Sequence, residues 1–176
     1  MAEEATTEAG TAWYALAVIP RKEKATAQAL RAKGYEGFLP MYTVRRRWSD
    51  RMKMVEMPLF PGYVFSRFDP KVRLPLLKMP SVISILGMGK LPEAIPDPEI
   101  DALQAVCKAG VGTIPYPYLT VGAKVRINEG PLTGVEGILV QAKESRLILS
   151  ITLLQRSVAV EVDTNWIAPV RTYREG

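Results

Sequence analysis

An α+β protein of two small domains, an α/β sandwich followed by an antiparallel β-barrel, is the fold class this sequence predicts, and three observations carry it. Over the first two thirds of the chain, strand-like and helix-like patterns alternate. A stretch rich in glycine and proline, "GVGTIPYPYLT" from Gly110 to Thr120, then disfavours both regular structures. Beyond it, short apolar runs recur between tight turns, the signature of a small barrel or sandwich. A chain of 176 residues has room for one ordinary domain or two small ones.

The elements follow in order. "WYALAVI" from Trp13 to Ile19 reads as a strand ended by Pro20. "RKEKATAQALRAKG" reads as a helix with Ala25, Ala29 and either Leu30 or Ala32 along one face, and Gly34 as its stop. "YEGFLPMYTVRRRW" is extended, "SDRM" turns the chain and "KMVEM" returns it, so a hairpin carries Arg45, Arg46, Arg47, Arg51 and Lys53. Pro58 and Pro61 bracket an aromatic segment, Gly62 permits an unusual turn, and Tyr63 to Phe68 reads as a central strand. "DPKVRLPLLKMP" predicts a short helix capped by Asp69, with Pro70 in its first turn and Pro75 bending it or resetting its start. "SVISILG" is a further strand. "IPDPEIDALQAVCKAG" is a helix with Asp97 as cap, Pro98 in first position, and Ile100, Leu103, Val106 and Cys107 as its buried stripe.

After the connector, "AKVRINE", "VEGILVQAK", "RLILSITL", "SVAVEV" and "WIAPV" are the strand candidates. In "NEGPLTGVEG", Gly130, Pro131 and Gly134 serve turns, and Gly137 permits a bulge or a close strand crossing.

Composition narrows the function. The chain has no histidine and one cysteine, Cys107, which removes the commonest metal ligand, the usual neutral-pH base and any internal disulfide. No acid–base or nucleophilic constellation is visible, so the expectation is a protein that is not an enzyme and takes no cofactor or metal. "GMGK" at residues 87–90 lacks the length and context of a phosphate loop. Net charge is +5, and between Trp13 and Lys53 the balance is 10 basic against 3 acidic side chains, which suggests an anionic neighbour. No apolar run is long enough to span a bilayer, and the start "MAEEATTEAGT" is read as a loose acidic leader, so a cytoplasmic, membrane-free protein is expected.

Several segments together resemble the NusG family of transcription factors. "VGAKVRINEGPLTGVEGILV" looks like a KOW motif, and "WYALAVIPRKE", "PLFPGYVF", "MPSVISILG" and "IPDPEIDAL" match in the family's order, over roughly residues 12 to 170. The resemblance implies a ferredoxin-like polymerase-binding domain over residues 12–110, a linker at 111–119 and an SH3-like KOW barrel over 120–171. It implies a monomer whose first domain binds the clamp helices of RNA polymerase, touches DNA near the transcription bubble and suppresses pausing, while the barrel recruits a second factor.

On this resemblance, Trp13, Tyr14, Phe60, Pro61, Tyr63, Phe65, Pro80 and Val82 are the candidates for polymerase contact. Rigid aromatics give large apolar contact at little entropic cost; alternation also turns about half of a strand's side chains inward. Arg45, Arg46, Arg47, Trp48, Arg51 and Lys53 are candidates for nucleic acid, through phosphate pairing and base stacking. Ile151, Leu153, Leu154 and Arg156 are candidates for the barrel's partner. Leu154 stands where the family's general factor has an aromatic residue, and Gln155 replaces its glycine, departures that put Rho in doubt more than a small-subunit ribosomal protein. "RRRWSDRMKMVEMPLFPGYVF" and "LLQRSVAVEV" resemble specialised antiterminating paralogues. The alternatives are a general NusG factor coupling polymerase to Rho or the ribosome, and an RNA- or ribosome-binding KOW protein without polymerase affinity. The β-branched content of "ILSITLLQRSVAVEV" predicts a stable barrel, free to move on its connector.

Overall fold

The computed structural model describes residues 10–119, 121–141 and 145–170. The acidic leader at 1–9, and Thr120 and Arg171 at the ends of the expected barrel, lie outside the described residues. In chain order the elements are β1 (Ala12–Val18), α1 (Glu23–Ala32), β2 (Glu36–Phe38), β3 (Met41–Trp48), β4 (Arg51–Pro58), β5 (Tyr63–Phe68), α2 (Leu74–Leu77), β6 (Val82–Ile85), β7 (Gly87–Met88), β8 (Leu91–Pro92), α3 (Asp97–Ala109), β9 (Thr113–Tyr116), β10 (Ala123–Ile127), β11 (Glu136–Gln141), β12 (Ser145–Ile151), β13 (Arg156–Glu161) and β14 (Ile167–Pro169). Mixed α and β content with strands predominating is the observed class.

The chain divides into two compact units. One comprises residues up to Leu39 together with Pro61–Asp97; the other comprises Pro40–Phe60 and everything from Pro98 onward.

The first unit is built on a four-stranded sheet in the order β2-β5-β1-β6. β5 pairs antiparallel with both β1 and β2, so the strand from Tyr63 to Phe68 is interior, as its apolar run requires. Facing residues share a sheet face. Leu16 opposite Val64 and Ala12 opposite Phe68 place Tyr14, Leu16, Val64 and Phe68 together. These join Val18, Val82, Leu76, Met79, Ala27 and Leu30 in one apolar core. The face α1 buries is Glu23, Thr26, Ala27 and Leu30, not the expected Ala25–Ala29 row. That set has the i, i+3, i+4, i+7 spacing of a helical stripe, and it leaves Ala25 and Ala32 exposed. The Thr26 hydroxyl donates to the Lys22 carbonyl at 2.7 Å and lies 2.7 Å from the Ser81 hydroxyl.

Downstream, Asp69 accepts from the Lys71 N–H at 2.9 Å and caps a 3-10 turn over Pro70–Val72. Pro75 falls in the first turn of α2, so it resets the helix start rather than bending it.

The second unit is built on a six-stranded antiparallel sheet in the order β14-β10-β11-β12-β13-β9. The five strands expected of the barrel all form. Leu147, Ile148 and Leu149 in β12 and Val158, Ala159 and Val160 in β13 are consecutively buried, so both faces of these strands are covered. Gly137 sits where a Cβ would meet the Ile148 carbonyl oxygen at 2.5 Å, the close strand crossing its position suggested. Arg126 and Glu136 face each other across β10 and β11 and form an ion pair.

The sixth strand falls inside the expected linker. β9 pairs with β13 from Thr113 opposite Val160 to Tyr116 opposite Ser157. Leu119 is then pinned by two serines, its N–H donating to Ser157 at 3.1 Å and its carbonyl accepting from Ser150 at 3.0 Å. Much of the connector is therefore bound to the sheet. Thr113, Ile114 and Tyr116 are β-formers, and Pro115 is tolerated because β9 is an edge.

In α3, Ile100, Leu103 and Val106 are buried as expected, whereas Cys107 is exposed. β3 and β4 form a separate two-stranded ribbon, extended at its base by the Leu59 N–H donating to the Pro40 carbonyl at 2.9 Å.

Candidate functional site

The expected polymerase-contact residues separate by burial. Trp13, Tyr14, Phe60, Phe65 and Val82 are buried. Pro61 and Pro80 are exposed and Tyr63 is half-buried. Tyr14 belongs to the helix-covered core; burial pushes its phenol above the ordinary tyrosine value, and the Asp69 carboxylate adds to the rise. Val82 lies in the same core.

The opposite sheet face follows from the register. Ala17 is opposite Tyr63, Ala15 opposite Phe65, and Trp13 opposite Arg67. Trp13, Tyr63 and Phe65 therefore share that face, and Phe38 bridges two of them, with ring centroids 6.5 Å from Trp13 and 6.2 Å from Phe65. Phe60 falls in the other unit.

Pro61, Gly62 and Tyr63 lead into β5. Gly62 has φ +85°, a conformation costly for any residue with a Cβ. Its N–H donates to Glu23 Oε1 at 3.0 Å, and its carbonyl accepts from the Val18 N–H at 2.9 Å. Glu23 is 6% exposed, so a buried carboxylate at the start of α1 fixes this turn. Sequence reading missed Glu23. Its signal was a single acidic residue inside a basic run, at the first helical position.

The basic residues come together on the β3–β4 ribbon. Arg45, Arg46, Arg47, Trp48, Arg51 and Lys53 are all exposed. A two-residue turn of Ser49 and Asp50, with Ser49 at φ +51°, joins the arms. The Lys53 ammonium lies 4.8 Å from the centroid of the Trp48 ring.

The expected partner turn of the barrel is a 3-10 turn over Thr152–Leu154 followed by Gln155 at φ +48°. Ile151 is fully buried, so its side chain serves the sheet core. Leu153 and Leu154 are half-buried, and Arg156 is exposed. The Thr152 hydroxyl and N–H both donate to Glu99 Oε1, at 2.6 Å and 3.2 Å, which ties α3 to this turn.

Among the described residues, no group of three or more potential ligands could hold a metal ion. Among them, too, no helix is long and apolar enough to cross a membrane.

Relatives of this chain are transcription termination and antitermination proteins. A protein so named from Vibrio vulnificus (strain CMCP6) is 29% identical over 167 residues, spanning 86% of this chain and 91% of that one. Its counterpart in Escherichia coli (strain K12) is 32% identical over 128 residues, spanning 68% of this chain and 69% of that one. The solved structure described as "Domain interaction in Thermotoga maritima NusG" shares the fold, with a TM-score of 0.55 at 18% identity over 92% of this chain and 98% of that one. The model of the family described as "Transcription termination factor nusG" matches residues 11–104. The chain belongs to the NusG family.

Proposed function

We propose that the chain is a specialised NusG paralogue, a transcription elongation and antitermination factor. Residues 12–110 form a ferredoxin-like domain that binds the clamp helices of RNA polymerase, touches DNA near the bubble and suppresses pausing or termination. Residues 120–171 form an SH3-like KOW barrel that recruits a second factor. The protein acts as a cytoplasmic monomer.

The sheet order β2-β5-β1-β6 with α1 and α2 between its strands supports the first assignment. The succession β14-β10-β11-β12-β13, in which the last strand lies beside the first, supports the second. The curated relatives carry both termination and antitermination in their names.

The observation that carries the reading is the Pro61–Gly62–Tyr63 turn, which lies within the span matched by the family and is fixed by Glu23. Pro61, Tyr63 and Pro80 supply the contact surface, while the buried Trp13 and Phe65 stiffen the sheet beneath Tyr63. At the barrel, Leu153, Leu154 and Arg156 are the contacts, and a small-subunit ribosomal protein fits the turn better than Rho, because Gln155 and Leu154 alter it.

Co-purification with core RNA polymerase tests the first contact. Tyr63→Ala is expected to weaken it by about tenfold or more. Absence of polymerase affinity in the unaltered chain would overturn the reading in favour of an RNA- or ribosome-binding protein. Transcription in vitro on terminator templates tests the specialisation. Readthrough is expected to rise on adding the protein; increased termination by Rho would instead mark a general NusG factor.

A further inference from the structure

We infer that one face of the β3–β4 ribbon, carrying Arg46, Trp48, Arg51 and Lys53, is a binding platform for single-stranded nucleic acid, and that the other face takes no part in it. This rests on the nucleic-acid contact proposed above and divides the residues assigned to it.

The division follows from register. The arms pair one residue to one, with Arg46 opposite Lys53 and Trp48 opposite Arg51. Arg45 is opposite Met54, and Arg47 opposite Met52. Directly opposed residues lie on the same face, and neighbours along a strand lie on opposite faces. Three adjacent arginines are thus split, Arg46 to one side and Arg45 and Arg47 to the other. One face gathers three cations and an indole. The other alternates two arginines with Met52 and Met54, which are 52% and 61% exposed.

The first face is built at a cost that an anion would offset. Arg46 and Lys53 are like charges directly across the ribbon, an arrangement that destabilises a sheet pair. The Arg46 guanidinium reaches the Met57 sulfur at 3.7 Å, which does not neutralise it. The nearest acidic residue along β4, Glu56, is opposite Thr43 and so lies on the other face. Same-face side chains repeat about every 6.8 Å along each arm, giving a row of cations that tracks a polyanion.

Trp48 decides between an unpaired strand and a duplex. Lys53 sits over its ring, yet the side chain remains 64% exposed at the ribbon tip. An exposed indole flanked by cations offers stacking to a base and pairing to its phosphates at once. A base in a duplex is already stacked and gains little there.

The test uses the whole chain with a labelled oligothymidylate, an oligouridylate and a duplex of equal length. Both single strands are expected to bind more tightly than the duplex and to quench tryptophan fluorescence; their ratio tells whether DNA or RNA is preferred. Trp48→Leu should abolish the quenching and, like Arg46→Ser or Lys53→Ser, weaken single-strand binding about tenfold. Arg45→Ser and Arg47→Ser should change it by no more than about twofold, a small loss of general electrostatic attraction. Equal losses on the two faces would overturn the division. Tighter binding to the duplex would overturn the single-strand platform while leaving nucleic-acid contact intact. No binding to any of the three would remove the ribbon's nucleic-acid role altogether, whereas polymerase binding is read separately by co-purification.

Discussion

At the scale of single residues, Gln155 and Glu23 show how local geometry bears on the candidate surfaces. Gln155 adopts φ +48°, where a side chain with a Cβ meets the following carbonyl. Placing glycine there relieves that strain, so Gln155→Gly is expected to raise stability by about 1 kcal/mol. Chemical denaturation of the two proteins checks it; a lower midpoint would show that the glutamine side chain contributes more than its backbone costs. Glu23 works in the opposite sense, since its buried carboxylate accepts from an N–H that a left-handed turn would otherwise leave unpaired. Much at this scale was legible in the sequence. Asp69 announced its cap and Gly62 its turn, because capping and positive φ depend on near neighbours. Glu23 was not, because its partner is 39 positions away in the chain. The surface around Tyr63 was only half legible: alternation fixes that Trp13, Tyr63 and Phe65 share a face, not that Trp13 and Phe65 are covered there while Tyr63 is half-buried.

At the scale of elements, the crossing of β11 over β12 is set by Gly137. Any side chain there would press on the Ile148 carbonyl and on Leu147. Gly137→Ala is therefore expected to destabilise the six-stranded sheet by about 1–3 kcal/mol. Thermal unfolding followed by far-UV circular dichroism reads the change, and an unaltered midpoint would show that the strands can separate to admit a methyl group. The strands of this sheet were readable from short apolar runs between turns. β9 was hidden, since Pro115 and the flanking glycine and prolines mark a breaker locally, while the strand exists because β13 offers it an edge. The buried stripe of α1 was misplaced for a related reason. Alanines can lie on either side of a helix, and the sheet selected the row with Thr26, Ala27 and Leu30.

For the whole molecule, the order of the chain and the compact units do not coincide. The chain enters the second unit at Pro40, leaves after Phe60, and returns at Pro98. A boundary at residue 110, drawn from composition, thus cuts the tie between Glu99 and Thr152. The strands beyond it pair with one another and bury their own core, including Val125, Ile127, Leu147 and Val158. The piece from Val111 to the end is expected to fold alone, with stability lowered by about 1 kcal/mol through loss of the hydrogen bonds to Glu99. A dispersed amide spectrum would bear this out; a collapsed one would show that α3 is required for the sheet to form. Composition marked a connector rich in glycine and proline. It could not show that the ribbon and α3 are grouped with the later strands, because that depends on contacts between distant positions.

Pro115 lies in the outermost strand of the six-stranded sheet. A row of free amide and carbonyl groups on such a rim is an invitation to another copy of the same sequence, and a residue with no amide hydrogen interrupts it. The same proline that obscured the strand thus leaves a gap in that row of donors, which disfavours the docking of a second strand along the rim.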